Sequence, residues 1–130
     1  MKIMVGYDQS NVTKEAIELA KKHAKAFHAK VYLVRSLAQS HSMQREDIQS
    51  VEQSLIKIRR SFRDQGIECR TEVIVSSMTP GEDLVEFGKE KGIDEIIIGV
   101  KKRSKVGKLV FGSNAQYIIL KAECPVVSVK

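Results

Sequence analysis

Short apolar segments alternate with stretches of helical periodicity along the whole chain, and this alternation limits the fold most strongly. Five segments have the length and the β-branched character of strands. They are residues 2–8, 31–34, 67–75, 94–100 and 125–129. Strands that alternate with helices predict an α/β domain with a parallel, doubly wound sheet, right-handed crossovers and helices on both faces. Because no linker, repeat or low-complexity tract divides residues 1–130, we expect a single domain.

The predicted helices rest on apolar spacing and on residues that begin or end helices. The second helix has the clearest stripe, in which apolar residues advance by three and four positions. These residues are Ile48, Val51, Leu55, Ile58 and Phe62, and Gly66 follows as a stop signal. The third helix begins at Thr79, which can cap it and form a capping box with Glu82. Asp83 adds a second acid at the positive end of this helix, and Gly92 stops it. Further helices are predicted over residues 13–27 and 113–121, whereas residues 36–44 are polar and turn-like.

The excess positive charge is concentrated in one loop. The chain has 22 basic and 16 acidic residues, a net charge of +6. Five bases fall within eight positions: Lys101, Lys102, Arg103, Lys105 and Lys108. Without these five, 17 bases face 16 acids, so the rest of the protein is nearly balanced. A single basic loop favours a discrete anionic ligand over a DNA duplex laid across a face, and no DNA partner is expected.

The apolar runs and the cysteine usage indicate a protein of a reducing compartment. No run approaches the ~18–20 apolar residues of a membrane helix, and residues 1–6 do not read as a signal peptide. We therefore expect a cytoplasmic protein without a membrane partner. Cys69 and Cys124 belong to no metal or redox motif and are expected in the core or at a strand edge. The three histidines are expected at the surface, on helices and loops, and share no ligand spacing, so a protein-bound metal is not expected.

The candidate site lies where the strands of such a sheet end. Open parallel sheets bind ligands beyond the carboxyl ends of their strands, at the point where strand order reverses. The segments there are residues 7–11, 35–38 and 99–113. In the last segment, Gly99 and Gly112 allow close approach of the backbone, and Ser113 adds a hydroxyl group. The free N–H groups of the following helix favour a phosphate. The alternative is a solvated loop whose glycines only turn the chain.

Known phosphate-binding motifs do not explain this segment. Gly107-Lys108 is followed by Leu109, and the position five before Gly107 is Lys102 where a Walker P-loop has glycine. No G-x-G-x-x-G turn follows the first strand either.

Three parts of the chain together resemble the universal stress protein family. They are the start Ile3-Met-Val-Gly-Tyr-Asp-Gln-Ser10, the segment 96–99, and the ending with Gly112-Ser113 and Cys124-Pro125-Val-Val-Ser-Val129. The resemblance runs in order from the first strand to the last. It implies an adenine nucleotide alpha hydrolase-like sheet of order 3-2-1-4-5, a role in stress response, and homodimers joined through Val126–Val129.

The same resemblance implies that ATP or AMP is bound. Nucleotide-binding members of the family carry G-x2-G-x9-G-[S/T] after strand four. Gly99, Gly112 and Ser113 match this pattern, but Lys102 stands where the second glycine belongs. The implied ligand-binding residues are Tyr7, Asp8, Ser36, Ile98, Gly99, Lys101, Lys102, Arg103, Gly112, Ser113 and Asn114.

Within that set, the resemblance implies a role for each part of the nucleotide. Asp8 would lie near the ribose or adenine and could meet Mg²⁺ carried by the nucleotide. Ser36 would line the adenine pocket, Ile98-Gly99 would run along the nucleoside, and residues 112–114 would face the phosphates. If the missing glycine required a positive φ, Lys102 would re-route the loop. Otherwise Lys102, with Lys101 and Arg103, would add charge opposite the phosphates in place of a magnesium ion. We expect binding to be retained with an altered loop geometry.

The residues at the site favour regulation over catalysis. Asp8 is the only acid that the sequence places there, and no histidine or cysteine joins it. We therefore expect a nucleotide-binding regulator rather than an enzyme, with any ATP hydrolysis slow and incidental. One alternative is an interaction module whose basic loop docks acidic protein or RNA. Another is an ATPase or phosphotransferase. Asp8 itself has a plainer interpretation, as a residue that fastens the first helix.

Overall fold

A computed structural model describes residues 1–8, 11–40, 45–100 and 112–130 of the chain. This part of the protein contains five strands and four helices in strict alternation. The elements are β1 (Lys2–Gly6), α1 (Asn11–Phe27), β2 (Lys30–Ala38), α2 (Arg45–Arg63), β3 (Cys69–Ser76), α3 (Pro80–Lys91), β4 (Glu95–Gly99), α4 (Ser113–Lys121) and β5 (Val126–Val129).

All five strands are parallel and follow the order β3-β2-β1-β4-β5, which confirms the predicted sheet. β1 lies in the middle, so that Val5 is paired with Leu33 of β2 on one side and with Ile97 of β4 on the other. The chain turns from β1 towards β2 and β3, then crosses back to β4 and β5. The carboxyl ends of β1 and β4 therefore flank the point where strand order reverses.

Helices cover both faces of the sheet, as the alternation predicts. On one face, Ile3, Val5 and Ile97 pack in a core with residues of α1 and α2 such as Leu55 and Phe62. On the other face, the core includes Met4, Ile96 and Ile98 together with residues of α3 and α4, among them Phe87 and Ile118. Successive residues of a strand point to opposite faces, so a continuous apolar run such as 96–98 is what a strand covered on both sides requires.

The third helix begins and ends where its sequence signals predict. Thr79 is the N-cap: its hydroxyl oxygen accepts a hydrogen bond from the Glu82 N–H at 3.2 Å. The Thr79 hydroxyl in turn donates a hydrogen bond to the Glu82 carboxylate at 3.0 Å, so the two residues are joined by a second bond between their side chains. Gly92 ends α3 with a left-handed φ of 64°, a conformation that a side chain would strain. Gly66, with φ of 76°, plays the same part after α2.

The second strand is longer than the sequence predicted. The predicted strand ended at Val34 and residues 36–44 were expected to be turn-like, but residues 35–38 continue β2 and pair with β3 as far as Ala38 and Ser76. These last residues are half-buried or exposed rather than covered, so polar side chains are tolerated there. The turn-like prediction was wrong for residues 36–38, and Ser36 lies on a strand rather than in a loop.

Candidate functional site

A cavity of about 230 Å³ lies at the carboxyl ends of β1, β2 and β4. Its walls come from three strand ends and from the first turns of two helices. The lining residues are Gly6, Tyr7, Asp8, Val34, Arg35, Ser36, Pro80, Leu84, Ile98, Gly99, Asn114, Ala115 and Ile118. The cavity thus occupies the position at which the topology predicts a ligand.

Six of the residues proposed from the sequence line this one cavity: Tyr7, Asp8, Ser36, Ile98, Gly99 and Asn114. Gly112 and Ser113 lie beside it at the start of α4, where Gly112 is the N-cap residue in an extended conformation. The remaining three, Lys101, Lys102 and Arg103, lie outside the described residues, as do Lys105 and Lys108. The cavity therefore unites residues that are more than 100 positions apart in the sequence.

Asp8 is an exposed residue whose carboxylate is hydrogen-bonded to the first helix. Its Oδ1 accepts a hydrogen bond from the hydroxyl of Thr13, a fully buried residue of the first turn of α1. A carboxylate has two oxygens and room for several hydrogen bonds, so this contact leaves Asp8 able to meet a ligand as well. Both interpretations of Asp8 from the sequence are compatible with its position.

Ser36 is hydrogen-bonded to a buried acid, Asp83. Its hydroxyl donates to Asp83 Oδ2 at 2.7 Å. Asp83 is 3% exposed and belongs to the first turns of α3. It also receives the Ser76 hydroxyl, 2.8 Å from each carboxylate oxygen. The three side chains tie the ends of β2 and β3 to the start of α3.

Asn114 joins the two helices that form one wall of the cavity. Its side-chain oxygen accepts a hydrogen bond from the backbone N–H of Gly81 at 2.9 Å. The first turn of a helix has N–H groups without intrahelical partners, and here Asn114 of α4 satisfies one of them in α3. The helices approach closely at this point, because a Cβ on Gly81 would lie 3.2 Å from the Asn114 carbonyl oxygen.

Two charged residues near the site were not singled out by the sequence. Arg35 lines the cavity, and its guanidinium lies 3.5 Å from the carbonyl oxygen of Tyr7. Asp83 was read only as an acid at the positive end of a helix, yet its side chain is directed into the protein. An acid in the first turn of a helix and a serine at a strand end give no local signal that they are in contact.

The cysteines occupy the positions expected of them. Cys69 is fully buried on β3, and this burial raises the pKa of its thiol to about 12, against a smaller opposing effect of Arg63 and Arg59. Cys124 is half-buried just before β5. His23, expected at the surface, is instead half-buried and lies 2.7 Å from the Glu95 carboxylate.

Within the described ranges, no three histidine, cysteine or acidic side chains are grouped as metal ligands would be. Over those same ranges, no helix combines the length and the apolar character needed to cross a membrane.

A larger cleft, of about 630 Å³, lies at the opposite edge of the sheet. Its lining includes Lys2 and Lys30, the first residues of β1 and β2, together with Lys25, His28 and Glu68. The cleft is therefore at the amino ends of the strands, away from the reversal of strand order. Size alone does not make it the better candidate, because the position of ligands in this topology favours the smaller cavity.

The sheet order and the cavity at its switch point define an α/β domain of the adenine nucleotide alpha hydrolase-like class. The family model described as the universal stress protein family matches residues 1–130, and the chain belongs to that family.

Relatives from two archaea agree with this assignment. A universal stress protein of Methanocaldococcus jannaschii is 28% identical over 99% of this chain and 81% of its own length. The solved structure of a universal stress protein from Archaeoglobus fulgidus superposes with a TM-score of 0.89 at 34% identity, over 100% of this chain and 98% of that one. A universal stress protein structure from Archaeoglobus fulgidus in complex with dAMP has a TM-score of 0.84 at 30% identity, with the same coverage.

Proposed function

We propose that this protein binds an adenine nucleotide, ATP or AMP, in the cavity at the carboxyl ends of β1, β2 and β4. Its role would be that of a cytoplasmic regulator in stress response, whose conformation or partnership changes with the nucleotide. The observation that carries the proposal is the make-up of the cavity: apolar walls, a carboxylate and a hydroxyl at the strand ends, and a helix N-terminus at one side.

Each part of the cavity suits one part of a nucleotide. Pro80, Leu84 and Ala115 supply apolar surface against which a purine ring can pack. Asp8, at the end of β1, can accept hydrogen bonds from ribose hydroxyl groups.

The phosphates would lie at the start of α4. The backbone N–H groups that follow Gly112 and the positive end of the helix dipole favour them there. We further propose that Lys101, Lys102 and Arg103 add positive charge near the phosphates. Any Mg²⁺ would be bound to the nucleotide, and Asp8 would be its contact on the protein.

A solved relative supports an adenine nucleotide in particular. The universal stress protein of Archaeoglobus fulgidus whose structure was solved in complex with dAMP is 30% identical to this chain, over its whole length. dAMP shares its base and its phosphate with AMP. The proposal transfers that ligand class, and no residue role, to this protein.

We propose regulation rather than catalysis because of the groups that face the cavity. Among the described lining residues, Asp8 is the one carboxylate, and no histidine or cysteine accompanies it. Efficient hydrolysis needs a positioned base or an activated water as well as a bound phosphate. A lone exposed carboxylate that is already bonded to Thr13 is a poor base, so turnover of ATP would be slow.

The regulator would act as a homodimer through β5. This strand is at the end of the sheet order, and the described structure places it beside β4 alone. An edge strand of apolar residues offers main-chain groups and side chains to a second copy. Isologous pairing of two copies would give two nucleotide sites per dimer.

Isothermal titration with ATP and with AMP tests the nucleotide site directly. We expect saturable heat with one site per chain. Mass spectrometry of the small molecules released from the purified protein should detect an adenine nucleotide. No heat at millimolar nucleotide would overturn the proposal. Competition between ATP and RNA tests the alternative in which the basic loop docks RNA. Excess ATP should displace bound RNA only if the two ligands share that loop.

A further inference from the structure

Asp83 fixes the direction of the hydroxyl group of Ser36, a residue that lines the cavity. The Ser36 side chain lines the cavity, whereas Asp83 lies behind it and is buried. The Ser36 Oγ to Asp83 Oδ2 distance of 2.7 Å is that of a good O–H···O hydrogen bond. A carboxylate can only accept hydrogen bonds, so the proton of this bond comes from Ser36.

The second serine at Asp83 is arranged in the same sense. Ser76 Oγ lies 2.8 Å from both carboxylate oxygens and accepts a hydrogen bond from the Met78 N–H at 3.0 Å. Its proton is therefore directed at Asp83 as well. Both serines donate to the Asp83 carboxylate, so Ser76 does not take the place of Ser36 there. The Ser36 proton therefore stays directed at Asp83 and away from the cavity.

A hydroxyl group whose proton is committed can only accept from a ligand. Ser36 then presents lone pairs to the cavity, beside the apolar side chains of Val34 and Leu84. A ligand group that donates a hydrogen bond is satisfied there. A ligand oxygen at the same place meets lone pairs and stays unpaired in a partly desolvated site, which is costly.

We propose that Ser36, held by Asp83, selects a base with a hydrogen-bond donor at its 6-position, and so prefers adenine over hypoxanthine. This inference rests on the proposed nucleotide site and adds a specificity-determining contact to it. Ser36 would touch the ligand, and Asp83 would act as a positioning residue that the ligand never meets.

Calorimetric titration of the full chain with AMP and with IMP tests the proposal. IMP carries an oxygen where AMP carries the 6-amino group. We expect AMP to bind the unaltered protein about tenfold more tightly than IMP, the cost of one unpaired polar group. Equal affinities would overturn this inference while leaving the nucleotide site intact, whereas no binding of either nucleotide would overturn both.

Variants separate positioning from mere stability. In Asp83→Ala the Ser36 hydroxyl is free to rotate, so the affinity for IMP should rise and the AMP to IMP ratio should fall to within about threefold. Ser36→Ala leaves Asp83 paired with Ser76 and should instead weaken AMP, which keeps the test available if Asp83→Ala does not fold. Thr79→Ala removes the cap of the same helix without touching Asp83 and should keep the ratio. A ratio unchanged in both Asp83→Ala and Ser36→Ala would overturn the proposal.

Discussion

The side-chain oxygen of Asn114 accepts a hydrogen bond from the Gly81 N–H, and this 2.9 Å contact holds the first turns of α3 and α4 together. Both helices contribute to the wall of the cavity. Asn114 thus serves the fold with its oxygen while it stands at the N-terminus where we propose that phosphates bind. The two roles can be separated by substitution.

Asn114→Asp should keep the fold and lose the nucleotide. The carboxylate still accepts from the Gly81 N–H, but its negative charge at the start of α4 repels a phosphate. We expect the free energy of unfolding to change by less than about 1 kcal/mol and the affinity for AMP to fall at least tenfold.

Asn114→Ala should instead lower the free energy of unfolding by about 1–2 kcal/mol, because the Gly81 N–H loses its partner. Urea denaturation and calorimetric titration measure the two effects, and Lys121→Ala on the exposed side of α4 is the control. Unchanged AMP affinity in Asn114→Asp would contradict the proposed phosphate position.

Two glycines of α3 should respond to alanine with opposite signs. At Gly81, a Cβ would lie 3.2 Å from both the Asn114 carbonyl oxygen and the Tyr117 Cβ, so α4 would have to move. We expect Gly81→Ala to lower the free energy of unfolding by about 1–3 kcal/mol. At Gly88 the nearest atom is Ile96 Cδ1 at 3.6 Å, an ordinary contact. Gly88→Ala should therefore raise stability by about 0.4–1 kcal/mol, through the reduced entropy of the unfolded chain. Parallel urea titrations compare the pair; destabilisation of similar size at both sites would show that close packing at Gly81 is not the cause.

The carboxylate of Asp8 should matter for binding more than its hydrogen bond to Thr13 does. Asp8→Ala removes the carboxylate, and we expect AMP affinity to fall about tenfold or more, as for a lost charge-assisted hydrogen bond. Thr13→Val is the matched control, since it deletes the hydroxyl that Asp8 accepts from and keeps the carboxylate. Calorimetric titration of both variants decides between the two roles. If Thr13→Val weakens AMP as much as Asp8→Ala does, Asp8 acts mainly by fastening α1.

The raised pKa of Cys69 should make the protein less stable in alkaline solution. The unfolded thiol loses its proton near pH 9, whereas the buried thiol keeps it up to about pH 12. Between these values the unfolded state binds fewer protons, so the free energy of unfolding falls as the pH rises, by at most about 1.4 kcal/mol per pH unit from this group. Urea denaturation between pH 7 and 10 should show a shallower decline for Cys69→Ala than for the unaltered protein. Equal slopes would mean that other groups govern the alkaline loss of stability.

The proposed dimer can be tested at the free edge of β5. The carbonyl groups of Pro125 and Val129 point to β4, where they accept from the Ile96 and Val100 N–H groups. Because main-chain groups alternate in direction along a strand, those of Val126 and Ser128 point the other way. Ser128→Pro removes an outward N–H without breaking the pairing with β4. Light scattering at micromolar concentration should give twice the 14.6 kDa chain mass for the unaltered protein and for Ser128→Ala, and the chain mass for Ser128→Pro. A single 14.6 kDa species for the unaltered protein would exclude the dimer.

The predictions that succeeded from the sequence depended on local signals. The cap at Thr79, the left-handed Gly66 and Gly92 and the apolar run of β4 are properties of a few neighbouring residues. The alternation of strands and helices limited the topology, and the family resemblance supplied the strand order.

The errors came from contacts between distant parts of the chain. β2 extends through Arg35 and Ser36 because β3 lies beside it, and no residue within β2 signals that partner. Asp83 is buried because two serines from other elements converge on it. Such pairings are set by tertiary packing, and for this reason the acid behind the cavity was missed.

The central position of β1 sets the order in which this protein can mature. β1 is made first, but one of its two neighbours, β4, begins 93 positions later, at Glu95. The cavity needs residues from Gly6 to Ile118, so it closes only after Ile118 has been made and β1 has paired with β4. A ligand of this cavity would therefore bind only molecules that have finished folding, and its binding energy would be added to the native state alone. Occupancy would then distinguish molecules whose sheet is assembled from those that are still folding.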